Sequence, residues 1–340
     1  MWPTFEEFLQ EARMDLNRLE RIRTAYLERR SRAIRRIFVP LTVLVIAFFV
    51  NVLAVLGFNQ GWGVFGILFV LIGGLWWLVR LFRTLREYRG DIRTAKAEFE
   101  QYGSAPLAQA MGLFAFQQRQ FTTDCGFEYE GGETFRHGGL LEGNPLFALG
   151  YDSIRGLHNI SGKRYGRDFA FSEIRVTRKE TSSEGDYTAT LFRGALFAAN
   201  LNEENEQVVF LRPKVRFPDL KKIKTITDGN NHKIKLRSIE TGNVAFNRAF
   251  AIRASDESSA LDMLSNDWMQ WLLSFRDRYG KRITILFAGS RITIAVSSTR
   301  TRFPFKPGRS TERNLRSAYE GLRFALELIV RSLPADRRNF

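Results

Sequence analysis

Two apolar runs dominate the early part of the chain. Residues 37–58, IFVPLTVLVIAFFVNVLAVLGF, carry no charge, and Asn51 is their only strongly polar side chain. Residues 62–79, WGVFGILFVLIGGLWWLV, are also uncharged. A helix on the surface of a soluble domain keeps a polar stripe. Neither run has one, and each approaches the ~20 residues a helix needs to cross a hydrocarbon core. The pattern predicts two membrane-spanning helices, 37–58 and 62–79, joined through the uncharged GFNQGWG at 57–63. A cleaved signal peptide fits poorly, because a long charged segment precedes the first run and a second run follows at once. Gly66, Gly73 and Gly74 offer places where the two helices could approach closely.

On either side the pattern becomes helical and charged. Phe5, Leu9, Ala12, Leu16, Leu19, Ile22 and Tyr26 recur at spacings of about three and four, which predicts an amphipathic helix before the membrane. It could pair with a partner or a second copy as a short coiled coil, giving a homo-oligomer. Arg23 interrupts that seam and favours a helix resting on its own domain or on the membrane surface. Residues 78–103 mix charges of both signs, as a solvated helix does.

Beyond residue 120 the period shortens. Strands are predicted at 169–177, 188–199, 207–211, 232–239 and 250–254, with the polar NLNEENE at 200–206 read as a hairpin loop. A helix is predicted from an N-cap at Ser255 to a stop at Gly280, with Leu261, Leu264, Trp268, Trp271 and Phe275 on its apolar face. RITILFAGSRITIAV, 282–296, reads as a second hairpin around Gly-Ser. A last helix spans Thr311–Ser332. Gly194 marks a bulge or a close approach. The expected fold class is α+β: an N-terminal amphipathic helix (1–36), a membrane hairpin (37–82), a juxtamembrane helix (83–120) and a mainly antiparallel sheet with covering helices (121–340).

Charge then sets the orientation. Arg29, Arg30, Arg32, Arg35 and Arg36 precede the first run, Arg80, Arg83, Arg86, Arg89 and Arg93 follow the second, and the linker has no Lys or Arg. Both termini are therefore expected in the cytoplasm, with Trp62, Trp76 and Trp77 placed near the interfaces. The whole chain of 340 residues carries a formal charge of +15, which draws it toward anionic partners. The densest basic stretch is 212–237, where Arg212, Lys214, Arg216, Lys221, Lys222, Lys224, Lys233, Lys235 and Arg237 face only Asp219 and Asp228. A tethered basic surface next to a bilayer meets anionic lipid or an acidic protein first. Nucleic acid is disfavoured, since no nucleic-acid-binding motif accompanies the charge.

Catalytic patterns are missing. His137, His158, His232 and the single Cys125 do not fall at metal-ligand spacing, and one cysteine makes no internal disulfide. Glu128, Glu130 and Glu133 read as solvated acids in a polar turn. No catalytic residue, metal ligand or cofactor is expected, and the reading leans against an enzyme.

Three stretches carry a family resemblance: FAFSEIRV at 169–176, LFRGALFAANLN at 191–202, and FNRAFAIRASDESSALDMLSNDWMQWLLSF at 246–275. They resemble bacterial two-pass inner-membrane proteins known only as a domain of unknown function, sometimes labelled "galanin". Asn200 stands where that family usually has an acid, so no ion site is carried over. The resemblance implies a bacterial inner-membrane location and an envelope partner, such as a LemA-type membrane protein. The resulting expectation is a membrane-anchored, non-enzymatic scaffold or accessory protein whose basic domain binds a protein partner or anionic lipid. The alternative, prompted by the many phenylalanines and the Trp268–Phe275 stripe, is a lipid-binding or lipid-modifying protein with an apolar pocket.

Overall fold

The structure, a computed structural model, describes residues 4–11, 16–57, 61–117, 126–130, 146, 151–182, 185–214, 225–227, 233–280, 282–298, 306 and 308–333. Side chains are described there except at 11, 44, 51–57, 61–70, 112–117, 126, 127, 130, 202–206, 226 and 227. The elements in chain order are α1 (Phe5–Glu11), α2 (Leu16–Gly57), α3 (Gly61–Phe99), a π-helical turn (Glu100–Ser104) and α4 (Ala105–Gln117). Then come β1 (Gly126–Glu130), β2 (Ser153–Arg164), β3 (Arg167–Ser182), β4 (Gly185–Pro213), β5 (Thr225–Thr227), β6 (Lys233–Lys235) and β7 (Arg237–Ile239). The rest are α5 (Val244–Ala249), β8 (Phe250–Ala254), α6 (Glu257–Met263), α7 (Asn266–Tyr279), β9 (Ile283–Ser297) and α8 (Thr311–Ser332). They fall into two compact units: residues 15–103 with 305–314, and residues 1–14, 104–304 and 315–340.

The first unit is built on α2 and α3, which run antiparallel. The Tyr26 and Tyr88 hydroxyls are 2.9 Å apart, and Trp77 Nε1 donates to the Ile37 carbonyl at 3.2 Å. The Arg18 guanidinium lies 3.5 Å from the centre of the Tyr102 ring. Among the described residues one helix is long and apolar enough to cross a membrane: α2 over Leu16–Val50, with none of its most apolar window buried. Phe38, Val39, Val43, Ile46 and Phe49 are all exposed. The second expected span, 62–79, lies within α3, and the side chains at 62–70 are outside the described residues. At Gly74 an added Cβ would meet nothing within 4 Å, so this glycine mediates no close approach.

The second unit is an α+β domain around a seven-stranded antiparallel sheet. Its order is β1-β2-β3-β4-β8-β7, with β9 on β4, and β5-β6 form a separate ribbon. Alternation sorts the side chains onto two apolar faces. Phe171 pairs with Phe197, and Val209 with Phe287, on the face covered by α7 and α8. There Trp268 packs on Phe287 (5.8 Å between ring centres), while Phe324 meets Phe275 (5.3 Å) and Phe171 (6.0 Å). Ile174, Val176, Phe192, Leu196, Phe210, Leu286 and Ala295 form a buried cluster on the other face, with Leu146, Ile154, Val208 and Leu236. Each large side chain buried in this way contributes roughly 1.5–3 kcal/mol.

The structure corrects both hairpin expectations. β4 is a single strand of 29 residues, and β9 one of 15. They pair on both sides of the turn-like sequences, with Asn200 opposite Arg291, Asn205 opposite Gly289 and Val209 opposite Phe287. The two turn-like segments lie opposite each other, so the extra β4 residues are absorbed as a bulge. Gly289 of β9, opposite this bulge, is in the left-handed conformation at φ +57. Gly194 is a close approach. At φ +155, a Cβ there would sit 2.1 Å from the Val296 carbonyl oxygen of β9.

The predicted helix from Ser255 is two helices. Asp256 caps α6 by accepting from the Ser259 N–H (2.9 Å), and Ser265 caps α7 by accepting from the Trp268 N–H (3.3 Å). Ser255 instead accepts from the Val208 N–H and donates to Gln207, tying β4 to the end of β8. Leu261 consequently leaves the apolar face and is exposed. Gly280 ends α7 as expected, and α8 keeps its predicted bounds. The single N-terminal helix expected over 1–36 is represented by α1 in this unit and by the start of α2 in the other, with 12–15 outside the described residues. α1 buries Phe5 and Phe8 against Tyr319 of α8, and Glu6 pairs with Arg316 at 2.8 Å.

Candidate functional site

The described parts of the basic segment are the end of β4, the β5–β6 ribbon and β7, the last an edge strand of the large sheet. The end of β4 is fixed where the Lys214 N–H donates to the Ala249 carbonyl of α5 at 3.0 Å. Lys233 and Lys235 are exposed on one side of β6, while Ile234 between them packs toward the apolar cluster. Alternation thus points both ammonium groups outward. Arg237 is exposed on β7, in register with Ala254 of β8. Arg253 of β8 stands opposite Phe210 of β4 and Ser238 of β7. Arg248, in the last turn of α5, is exposed.

Arg212 differs from these. It is half-buried, and its Nε is buried with no hydrogen-bond acceptor among the described residues. Arg216, Lys221, Lys222 and Lys224 lie outside the described residues. The structure therefore brings Lys233, Lys235 and Arg237 onto consecutive strands and places Arg212 and Lys214 at the end of β4. Cations held this way attract and orient an anionic surface. A single exposed pair adds only about 0–1 kcal/mol, so binding here would be additive over several contacts.

Two polar arrangements escaped the sequence reading because their members are far apart in the chain. The Tyr129 hydroxyl on β1 lies 3.0 Å from Nδ1 of His158 on β2, and His158 is buried at φ +54 beside a bulge. The other joins α7 to α8. The Tyr279 hydroxyl donates to Glu327 at 2.9 Å, and Arg278 pairs with the same carboxylate at 3.1 Å. Burial, reinforced by the Glu327 charge, pushes the Tyr279 hydroxyl up to about 12. Arg278, Tyr279, Glu320, Gly321 and Arg323 line a shallow groove of about 500 Å³. Tyr279 and Arg278 share the Glu327 carboxylate, so this cluster joins α7 to α8.

The remaining candidates divide simply. Glu128 is exposed on β1; Cys125, Glu133, His137 and His232 lie outside the described residues, as does the Glu130 side chain. Among the described residues no three His, Cys, Asp or Glu side chains group as metal ligands. Trp268 and Phe275 are buried core, and Trp271 packs between them.

Fold and side chains together define an α+β protein with a large antiparallel sheet and, among the described residues, one apolar helix of membrane-spanning length. Within it, residues 190–333 match the model of a family described as protein of unknown function, DUF3137. Two of the three resembling stretches, 191–202 and 246–275, fall inside that match, and 169–176 falls outside it. A comparison with curated proteins finds no match. Among solved structures, the crystal structure of the mycobacterial trehalose monomycolate transport factor A, TtfA, aligns with 62% of this chain and 91% of that one, at 10% identity and a TM-score of 0.30. A likeness at that level says nothing about function.

Proposed function

We propose that this protein is a membrane-anchored, non-enzymatic accessory or scaffold protein at the cytoplasmic face of a bacterial inner membrane. In this reading α2 and α3 form a two-span anchor, and the sheet unit offers its basic edge to a protein partner. One observation carries the reading: no described residue in the most apolar window of α2 is buried. An exposed apolar surface of that extent marks contact with a membrane or another protein. The arginines flanking the apolar segments favour cytoplasmic termini. An acidic membrane protein is the partner that fits Lys214, Lys233, Lys235 and Arg237, and a LemA-type protein is the first to test.

The test is purification of the full-length chain from its native membrane in mild detergent, with mass spectrometry of co-purifying proteins. The expected result is a recurring membrane-protein partner that is lost from the K233S/K235S/R237S variant while the variant stays in the membrane. Extraction of the wild-type chain by alkaline carbonate would overturn the anchor. A defined turnover by the purified protein would overturn the non-enzymatic reading.

A further inference from the structure

One face of α3, just beyond its apolar half, has a composition that the rest of the helix lacks. Phe82, Leu85, Arg86, Arg89, Gly90 and Arg93 line a groove of about 650 Å³. Their offsets of about three, four, seven, eight and eleven residues place them on a single helical face. The face is graded. Phe82 is 70% exposed and continues an apolar band with Trp76 and Val79, also exposed, whereas the far end carries the arginines.

Glu87 and Asp91, the acids next to the groove arginines along α3, are already engaged. Glu87 pairs with Arg83 at 3.4 Å and with Arg36 at 3.9 Å, and Asp91 pairs with Arg29 at 3.4 Å. Arg86, Arg89 and Arg93 make no ion pair among the described residues, and all three are exposed. Between them Gly90 leaves open space, because a Cβ there would meet nothing within 4 Å. At a rise of ~1.5 Å per residue, Arg86 lies about 6 Å and Arg89 about 10 Å along the axis from Phe82. Arg86 falls within the headgroup layer, which adds roughly 5–8 Å on each side of the hydrocarbon, and Arg89 lies at its outer limit.

We propose that this face is a binding site for an anionic glycerophospholipid of the membrane that holds α3. Its phosphate sits against Arg86 and Arg89, with Arg93 adding charge beyond them. The acyl chains run along Phe82 and Leu85, and Gly90 makes room for the headgroup. Guanidinium groups suit this task because they offer two parallel donors to phosphate oxygens. The inference rests on the proposed membrane anchor, but it needs neither the sheet unit nor its partner.

The experiment uses full-length protein in nanodiscs made either of phosphatidylcholine alone or of phosphatidylcholine with phosphatidylglycerol. Native mass spectrometry after release counts the retained lipids. The wild-type chain is expected to retain phosphatidylglycerol in preference to phosphatidylcholine. Each arginine near the surface is worth about fivefold, so R86Q/R89Q/R93Q should lose roughly a hundredfold of that preference. G90L should lose it with the charge intact, and K233S/K235S/R237S should keep it. Unchanged preference in both groove variants would overturn the site, as would equal displacement by inorganic phosphate, or retention of an acidic protein by the groove in place of lipid. Failure of the wild-type chain to enter nanodiscs would instead overturn the anchor. G90L decides the matter should the triple variant fail to insert.

Discussion

Phe210 and Phe38 are the same side chain in opposite circumstances. Phe210, on β4, is 0% exposed and sits among partners from β9 and the rest of its cluster, whereas Phe38, on α2, is 59% exposed. The contrast extends to the regions around them. In the sheet unit both faces are buried within the chain, one under α7 and α8 and the other in the apolar cluster that Leu146, Ile234 and Leu236 complete. Among the described residues of the apolar half of α2, none is buried. Leaving a phenylalanine exposed forgoes roughly 1.5–3 kcal/mol, and the α2 segment repeats that loss at Val39, Val43, Ile46 and Phe49. The sheet unit is organised to be stable in water, and the helix is organised for something else.

Glycines give the sharpest way to break this comparison, because each region has one with a measurable surrounding. Gly194 faces the β9 backbone, with Val296 O 2.1 Å from where a Cβ would be. Gly194→Val must push two paired strands apart in the middle of the core, and we expect it to cost more than about 4 kcal/mol. Gly74→Ala fills open space and should stay within about 1 kcal/mol of the wild type. Thermal melting and limited proteolysis of the full-length chain in detergent would separate the two. Equal melting temperatures would mean that the strands do not approach as described.

Charge placed in the helix tests the other side of the comparison. Ile46 is 58% exposed within the apolar stretch of α2. In water, Ile46→Arg would be harmless or favourable. In a bilayer it costs about 2.5–3.5 kcal/mol at the centre of a span, so the variant should shift from the carbonate-resistant membrane fraction toward the soluble one. The protease-resistant sheet fragment should be unchanged. A variant that stays fully in the membrane would show that Ile46 faces protein or water.

The sequence disclosed these regions unequally, for physical reasons. The apolar runs and α8 were legible because a single periodicity sets them. The breaks in the pattern were misread. NLNEENE and AGSR both have turn composition, yet turn composition also suits a bulge, and only the pairing of Asn205 with Gly289 distinguishes the two. The α6–α7 break was hidden because Ser265, a good N-cap, sits within an otherwise continuous apolar stripe. The basic segment was visible as composition, but which of its side chains share an edge depended on β6 and β7 being separate strands. Tyr279 and Glu327 could not be linked from sequence at all, since their contact follows from how α7 and α8 pack over the sheet.

That last contact also sharpens the comparison, with the smallest effect. The apolar interactions of both regions are insensitive to pH, but Tyr279 is not. Burial and the neighbouring Glu327 carboxylate raise its hydroxyl from an ordinary value of 10.0 to about 12. In the unfolded chain the phenol loses its proton near 10.0, while in the folded chain it holds the proton until about 12. Its contribution to stability is therefore fully present below the lower value and is lost as pH rises through the upper one. Alkaline melting of the full-length chain should show this loss within that window. Tyr279→Phe should flatten it, at a cost of about 1 kcal/mol near neutrality, because Arg278 still pairs with Glu327. If the Tyr279→Phe variant keeps the full alkaline transition, the titrating group lies elsewhere, and the Tyr279–Glu327 bond does not join α7 to α8 as described.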